Sequence, residues 1–385
     1  MHTPNTSFNH VNYLWNEEKA AQLEGNEVDL FLYRSNLLGA DLRITNYGGG
    51  NTSCKTKELD PLTKTWVEVM WIKGSGGDIG TMTRSGLAGL YVDKLNALKG
   101  IYRGLEHEDE MVGLFGHCLY DLDSKAPSID TPLHGFLPFK HIDHLHPDAA
   151  IAIAAAKDGE EITKTLWKGT IAWVPWQRPG FDLGLKLREA LDKNPGIRGI
   201  MLGGHGLFTW GDTSYDCYLN SLEVIETASA YLAENYGKKR PVFGGQKINS
   251  LDPDQRKSQA AKLAPLLRGL ASSETRMVGT FTDKEVVLEF SNSQDLDRLA
   301  PMGTSCPDHF LRTKISPLVL DLPAATDLSD ANEIRAQLES AFQNYREHYA
   351  AYYEKHKHAN SPAMRDPNPV IILWPGVGMF SFAKD

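Results

Sequence analysis

HIDHLHPDAAIAIAAA (residues 141–156) begins with the spacing of a β-strand and changes to a helix-forming run of alanines. Because side chains two residues apart on a strand point to the same face, the imidazoles of His144 and His146 can reach one metal ion. His141 has the opposite parity in this strand and is the weaker ligand candidate. The stretch therefore predicts a strand that carries two ligands of a metal site.

A third ligand is expected from a distant segment, because a catalytic zinc site usually has three protein ligands and one open position. The best placed is His205, which has Gly203-Gly204 before it and Gly206 after it. Glycines on both sides let the backbone pass close to a bound ion. The sequence holds 13 histidines, so ordinary polar strand residues are the alternative interpretation of the H-x-H motif.

The segments on both sides of these histidines alternate between strand and helix patterns. Strands are expected around LRITNYG (42–48), TWVEVMWIK (65–73) and GTIAWVPW (169–176), with a strand, tight turn and strand at 196–211. Helical spacing covers residues 12–40, 84–106, 181–193 and 214–237. This alternation predicts a layered α/β domain, whose sheet is either parallel or antiparallel.

The polar, Pro- and Gly-rich stretch at residues 238–259 predicts a boundary between a domain at 1–240 and a C-terminal α+β extension at 241–385. In the extension we expect helices and strands at 259–271 (helix), 276–290 (hairpin), 332–357 (charged helix) and 368–385 (strand and glycine turn). Whether the extension completes the first domain or seats a further module stays open.

Charge and composition limit the classes of partner. Lys and Arg number 40 against 49 Asp and Glu, a formal net charge of −9, which argues against nucleic acid or an anionic membrane as the partner. An anionic substrate must therefore be held by local donors. The chain has no signal-peptide pattern, no apolar run of membrane-spanning length and four scattered cysteines, so we expect a cytoplasmic protein with free thiols.

Two glycine-rich segments are candidates for phosphate binding. Gly48–Ser53 (GGGNTS) and Lys73–Gly77 (KGSGG) each follow a predicted strand and expose backbone N–H groups and small polar side chains. Neither has the spacing of a P-loop or a dinucleotide fingerprint. Simple connecting turns are the alternative for both segments.

Asp130 in Ser128-Ile129-Asp130-Thr131-Pro132 has two interpretations. It can be the N-cap of a helix that starts at Thr131-Pro132, which the sequence alone favours, or an acid/base carboxylate beside the metal. One residue can serve both roles. Three tryptophans, Trp71, Trp173 and Trp176, lie in apolar strand-like runs and are expected in the core.

Taken in order, these motifs resemble the class II aldolase/adducin-head family. The matching segments are Gly50-Asn51-Thr52-Ser53, Lys73-Gly74-Ser75-Gly76, Asp130-Thr131-Pro132-Leu133-His134, His144-Leu145-His146 and His205-Gly206. The resemblance implies a three-layer α/β/α fold around a mainly antiparallel sheet, and homotetramers with active sites between subunits. It also implies a zinc ion on His144, His146 and His205, with cobalt and manganese as alternatives.

Three longer segments, beginning at Pro127, Thr304 and Pro375, resemble the aldolase half of bifunctional rhamnulose-1-phosphate aldolase/lactaldehyde dehydrogenases. This resemblance implies cleavage of a ketose 1-phosphate, here L-rhamnulose 1-phosphate, to dihydroxyacetone phosphate and L-lactaldehyde. Asp130 would be the catalytic acid/base, and the phosphate would bind at Asn51, Ser75, Gly76 and Ser128.

Two departures from the family pattern keep other functions open. Gly74 replaces the usual proline of the phosphate turn, and the acidic residue is Asp130, as in sugar-phosphate 4-epimerases, where short aldolases often have Glu. A 4-epimerase of the same family is therefore the alternative enzyme. An oligomeric, non-catalytic binding module that has kept the fold is the alternative of another class.

Overall fold

The computed structural model describes residues 7–45, 48–237, 241–273, 275–358 and 361–384. The chain divides into two compact units, Met1–Asn235 and Tyr236–Asp385. None of the described helices is long and apolar enough to span a membrane.

The first unit contains seven described strands: β1 (Asn51–Leu59), β2 (Trp66–Lys73), β3 (Leu87–Tyr91), β4 (His141–Leu145), β5 (Ile171–Val174), β6 (Gly199–Leu202) and β7 (Gly206–Gly211). They form one sheet in the order β3-β2-β1-β4-β7-β6-β5. Within the described part of this sheet only β5 and β6 pair in parallel. The mainly antiparallel sheet expected for the family is therefore confirmed.

The helices of this unit are α1 (Glu17–Gln22), α2 (Glu27–Gly39), α3 (Val92–Ala97), α4 (Glu108–Leu114), α5 (Thr131–Gly135), α6 (Asp148–Ala154), α7 (Gly159–Trp167), α8 (Phe181–Lys193) and α9 (Ser214–Tyr236). They cover both faces of the sheet. On one face Leu38 of α2 and Leu222 of α9 belong to one buried cluster with Leu207 of β7. On the other, Leu133 of α5 and Leu187 of α8 join one apolar cluster with β-strand residues. The three-layer α/β/α arrangement is thus confirmed.

The predicted helix at 12–40 is two helices, and each start has a clear cause. The side chains of Asn16 and Asn26 accept hydrogen bonds from backbone N–H groups in the first turns of α1 and α2. Gly25 has a φ of 83° between the two helices, which favours glycine. The chain therefore turns before α2 begins.

The strand expected at 42–48 is wrong over residues 42–45, which form no strand. Asn46 and Tyr47 of that segment lie outside the described residues. Leu42–Ile44 form a turn in which the Asp41 carboxylate accepts a hydrogen bond from the backbone N–H of Arg43 at 3.1 Å. Such a bond to a nearby backbone group competes with strand formation. The strand instead follows the glycines, as β1.

Two further expectations from the sequence are wrong. The helix expected at 84–106 is instead the strand β3 followed by the short helix α3. In the C-terminal extension, 276–290 is a strand followed by a helix, because β8 (Val278–Thr282) pairs with a strand about a hundred residues later in the chain. Pairing over that distance leaves no local pattern in the sequence.

The second unit has its own sheet and core. Its strands are β8, β9 (Leu318–Val319), β10 (Ile371–Trp374) and β11 (Gly378–Ala383), in the order β8-β11-β10-β9. Its described helices are α10 (Pro253–Ala271), α11 (Glu285–Ser291), α12 (Leu296–Leu299), α13 (Pro307–Thr313) and α14 (Ala331–His356). Leu263 of α10, Phe342 of α14 and Trp374 of β10 belong to one buried cluster.

Candidate metal centre and active site

Three histidines converge at one end of the first sheet. Nε2 of His144 lies 3.2 Å from Nε2 of His205 and 3.1 Å from Nε2 of His146. His144 is on β4, His146 follows the end of that strand, and His205 lies in the turn between β6 and β7. All three are buried, and one ligand atom of each lies within 4.8 Å of the others.

The spacing of these nitrogens fits a single metal ion. With metal–nitrogen distances of 2.0–2.1 Å, a tetrahedral site would place its ligand nitrogens about 3.3 Å apart. The two distances from His144, 3.1 and 3.2 Å, lie close to that separation. Imidazole is a ligand for zinc, copper, iron and nickel, so the triad can hold a dication without a large rearrangement.

The ring of His144 is fixed from two sides. Its Nδ1 lies 3.2 Å from the carbonyl oxygen of Leu207, to which an N–H at that position donates. Phe208, the cross-strand partner of His144 on β7, stacks on the ring with a centroid distance of 4.3 Å. A backbone carbonyl that holds Nδ1–H leaves the Nε2 lone pair available for a metal.

The glycines beside His205 permit a close approach of rings and backbone. A Cβ on Gly206 would lie 2.6 Å from Cδ2 of His146 and 2.7 Å from the carbonyl oxygen of Leu145. Gly204 has a φ of 63°, a conformation that suits glycine. A side chain at either position would disturb the turn that carries His205.

Asn51 lies directly beside the histidines. It pairs with His144 across β1 and β4, so the two side chains are on the same face of the sheet. Its side chain is 1% exposed, and neither amide atom has a hydrogen-bond partner among the described residues. A buried polar group without a partner costs about 1–3 kcal/mol, so this amide is suited to bind a ligand.

Asp130 occupies the N-cap position of α5, but its side chain does not cap the helix. The Oγ of Ser128 donates to the Asp130 carboxylate at 3.3 Å, and both residues are largely buried. The N-cap interpretation therefore accounts for the position of Asp130 and not for its carboxylate. Asp130 is not a member of the three-histidine cluster.

The second glycine-rich segment forms an exposed loop after β2. Ser75 and Gly76 are exposed, and the backbone N–H of Ser75 donates to the carbonyl of Ala126, two residues before Ser128. Lys73 donates from Nζ to the carbonyl of Gly77 at 2.9 Å. The structure thus brings the Ser75 loop next to the segment that holds Ser128 and Asp130.

The close packing around position 74 explains why a glycine stands there. A Cβ at this position would lie 2.4 Å from Cβ of Lys125 and 3.0 Å from the carbonyl oxygen of Gly86. Its backbone N–H donates to that same carbonyl, a bond that proline cannot make. The glycine therefore fits a tight contact between two loops in this chain.

Buried cations surround the inner part of this region. Burial, together with the nearby charges of Lys55, Arg34 and Lys73, holds the pKa of His134 well below its usual value. Lys55 is buried on β1, and burial lowers the pKa of its ammonium group to about 8. Lys55, Arg34 and Lys73 thus bring positive charge close enough to His134 to affect its pKa, in a chain that is acidic as a whole.

The opposite face of β4 carries a buried ion pair. Arg34 Nε lies 3.1 Å from Asp143 Oδ1, and both side chains are fully buried. Ser221 donates to the second carboxylate oxygen of Asp143 at 2.9 Å, and Arg34 donates to the carbonyl of Ser53 at 3.0 Å. These contacts hold β4 and β1 together behind the face that carries His144.

His141 and Trp176 differ in how they lie relative to the histidine triad. His141 faces away from the triad and lies 3.0 Å from the carboxylate of Glu27. Trp176 is 58% exposed and its ring centroid is 6.5 Å from that of His205, so its expected place in the core is wrong. Sequence reasoning also assigned no role to His134, although it lies four residues from Asp130, one helical turn away.

Models of known protein families match parts of both units of the chain. The model of the class II aldolase and adducin N-terminal domain matches residues 32–232. A second model, described as the second domain of class II aldolases, matches residues 258–385.

A Bacillus subtilis (strain 168) protein, the uncharacterized oxidoreductase YuxG, is 38% identical over 374 residues, which cover 97% of this chain and 53% of the relative. This chain therefore spans about half the length of that relative.

Among solved structures, the N-terminal class II aldolase domain of a conserved protein from Thermoplasma acidophilum is similar with a TM-score of 0.50 and 28% identity. The match covers 59% of this chain and all of the other chain. The first family match alone spans more than half of the 385 residues. This chain belongs to the class II aldolase and adducin family.

Proposed function

We propose that this protein is a metal-dependent aldolase that cleaves a ketose 1-phosphate, and that its substrate is L-rhamnulose 1-phosphate. The products would be dihydroxyacetone phosphate and L-lactaldehyde. The family supports an aldolase-type lyase that acts on sugar phosphates. The choice of rhamnulose 1-phosphate rests on the resemblance of the segments that begin at Pro127, Thr304 and Pro375.

One observation carries the proposal: a cluster of three imidazoles lies next to a buried amide that has no partner in the described part of the chain. The Nε2 atoms of His144, His146 and His205 converge, and Asn51 lies opposite His144 on the neighbouring strand. A metal site alone would not require the unpaired amide. A substrate that carries oxygen atoms next to the metal would use both.

A dication held by the triad, zinc in our proposal, would act as a Lewis acid and offset the negative charge that develops when the C3–C4 bond breaks. Asp130 would accept the proton of the C4 hydroxyl, so that C4 leaves as an aldehyde and the bonding electron pair stays with the C2–C3 fragment. The carboxyl group would then return the proton to C3. The buried position of Asp130 beside Ser128 keeps the carboxylate in a defined position.

The phosphate would be bound by Asn51, Ser75, Gly76 and Ser128. Ser75 and Gly76 lie in an exposed loop with open space around Gly76, and backbone N–H groups in such a loop can donate to phosphate oxygens. Lys73 adds positive charge at the base of that loop. The distribution of charge therefore agrees with an anionic substrate.

The Bacillus subtilis relative is named an oxidoreductase and is about twice as long as the matched region. An aldehyde such as lactaldehyde is a substrate for oxidation or reduction. The lactaldehyde released by the proposed aldolase reaction would therefore be a substrate for an oxidoreductase activity, the kind of activity that the name of the relative gives.

The test is a coupled assay for dihydroxyacetone phosphate with a panel of ketose 1-phosphates, each measured with and without a chelator. We expect triose phosphate from rhamnulose 1-phosphate at the highest kcat/KM, and loss of activity with the chelator that added zinc restores. Metal analysis of the purified protein should give one dication per chain.

The same experiment separates the alternatives. A C4-epimerised product without triose phosphate would indicate a 4-epimerase, which shares the aspartate at position 130. A protein that binds no dication and turns over no sugar phosphate would be a non-catalytic module. Either result would overturn the aldolase proposal.

A further inference from the structure

His134 connects the helix that begins after Asp130 with the strands that carry the metal site. Its side chain is fully buried in α5, and its Nδ1 shares a hydrogen bond of 2.8 Å with the Oγ of Ser53 on β1. Its ring meets Phe208 edge-on at a centroid distance of 5.3 Å. Phe208 in turn stacks on the metal-ligand candidate His144.

The helix α5 depends on such contacts for its position. It has five residues, and a helix of that length is not stable by itself in water. Its described anchors include Leu133 in an apolar cluster, Gly135 against Leu95, and the hydrogen bond of His134 to Ser53. Of these, the imidazole is the anchor that reaches β1, where Asn51 lies two residues from Ser53.

The His134 imidazole also lowers the stability of the fold. Its Nε2 is buried and has no hydrogen-bond partner among the described residues, which costs about 1–3 kcal/mol for a polar group. An apolar side chain at this position would avoid the cost of the buried Nε2. A polar residue kept at such a cost is more readily explained by function than by stability.

We propose that His134 is a positioning residue, which fixes the Asp130 carboxylate relative to the histidine triad through Ser53 and Phe208. This inference rests on the proposed aldolase function, in which Asp130 transfers the proton. The imidazole would act on the carboxylate through the backbone of one helical turn. It would not itself contact the substrate.

The test compares His134→Leu, His134→Asn and Ser53→Ala in the zinc-loaded protein. His134→Leu removes the bond to Ser53, whereas an asparagine amide can occupy the place of Nδ1 and keep it. We expect His134→Leu to keep the fold and one zinc ion per chain and to change KM less than threefold. Its kcat should fall about 10²-fold, the size of effect that a misplacement of about 1 Å produces.

Two variants add specificity. His134→Asn should recover most of the lost kcat. Ser53→Ala should lower kcat, and His134→Leu should have little additional effect in the Ser53→Ala background, because both changes break the same bond. As a control, His141→Leu alters another buried histidine that faces away from the triad, and it should lower stability without a selective loss of kcat.

The outcomes are distinct. An unchanged kcat in His134→Leu, or a loss of kcat that parallels a loss of zinc, would overturn the inference and leave the aldolase proposal intact. Additive effects of the two changes would also overturn it. If the unsubstituted protein cleaves no ketose 1-phosphate, the aldolase proposal fails whatever the variants show.

Discussion

Asn51 and His144 face each other across the antiparallel pair of β1 and β4. One is an amide without a described hydrogen-bond partner, and the other is the central member of the histidine cluster. Their register fixes the distance between the candidate metal ligand and the buried amide. The relationship is set by the sheet, so it does not depend on loop conformation.

Replacement of Asn51 by leucine tests whether this amide is kept for binding. Because the amide makes no described bond in the protein, we expect Asn51→Leu to leave the free energy of unfolding unchanged or to raise it by about 1 kcal/mol. The KM for the phosphorylated substrate should rise about 10- to 100-fold, since a bond to a charged group contributes about 1.5–3 kcal/mol. Denaturant unfolding and steady-state kinetics measure the two effects.

Asn292 provides the matched control in the second unit. Its amide donates to the Oγ of Ser250 at 2.8 Å and accepts from the backbone N–H of Gly376 at 2.6 Å. Asn292→Leu should therefore lower the free energy of unfolding by about 1–3 kcal/mol. A similar loss of stability in Asn51→Leu would show that Asn51 is a structural residue.

Asp130→Asn separates the chemical role of the carboxylate from its position at the start of α5. The side chain makes no helix-cap hydrogen bond, and the amide oxygen of asparagine can still accept the bond from Ser128, so we expect the free energy of unfolding to change by no more than about 1 kcal/mol. Metal content should stay at that of the unsubstituted protein. The kcat should fall about 10²- to 10⁴-fold, the usual contribution of a general acid/base. Retention of kcat would remove Asp130 from the proposed proton transfer.

The polar character of β1 explains why the sequence did not reveal this strand. Thr52 is hydrogen-bonded to Ser35, Ser53 to His134, and Lys55 donates to backbone carbonyls, although all three are buried. A strand whose buried positions are polar shows no alternation of apolar residues. The same polar positions place Asn51 next to the metal site.

Other parts of the site were predictable because the required residues lie close together in the sequence. His144 near the end of β4 and His146 just after it are two residues apart, and the glycines around His205 indicated a tight turn. The contribution of His134 was not predictable, because its partners Ser53 and Phe208 lie on two other strands. Only the fold brings the three together.

The pair formed by His141 and Glu27 predicts how stability changes with pH. Burial lowers the pKa of His141 to about 4 from 6.5, although its bond to Glu27 partly offsets this. Between these values the unfolded chain binds a proton that the folded protein excludes, so stability rises with pH over that range. The bond from His141 also lowers the pKa of Glu27 to about 2, which extends the same trend to lower pH.

The free energy of unfolding should therefore fall as pH drops from 6.5 to 4, by at most about 3 kcal/mol from His141. Urea unfolding at several pH values measures this slope. In His141→Gln the slope over that range should become shallower, whereas the same change at the exposed His117 should not alter it. Equal slopes for the unsubstituted protein and His141→Gln would contradict the prediction.

Gly206→Ala tests the metal site without removal of a ligand. A methyl group at this position would lie 2.6 Å from Cδ2 of His146, so the ring or the turn must move. We expect zinc to bind about 10- to 100-fold more weakly, the range seen when groups that orient metal ligands are altered. Competition with a chelator of known affinity gives the constant, and His205→Ala, which should bind no stoichiometric metal, gives the lower limit.

Gly196→Ala is the matched control, because a Cβ there would meet no atom within 4 Å. It lies just before β6 in the same sheet, and its zinc affinity should equal that of the unsubstituted protein. Circular dichroism should show the same helix and strand content for both alanine variants. If Gly206→Ala also binds zinc with full affinity, the contact between Gly206 and His146 does not set the position of the ligand. The metal would then have to be held by a different arrangement of imidazoles from the one that places Nε2 of His146 3.1 Å from Nε2 of His144.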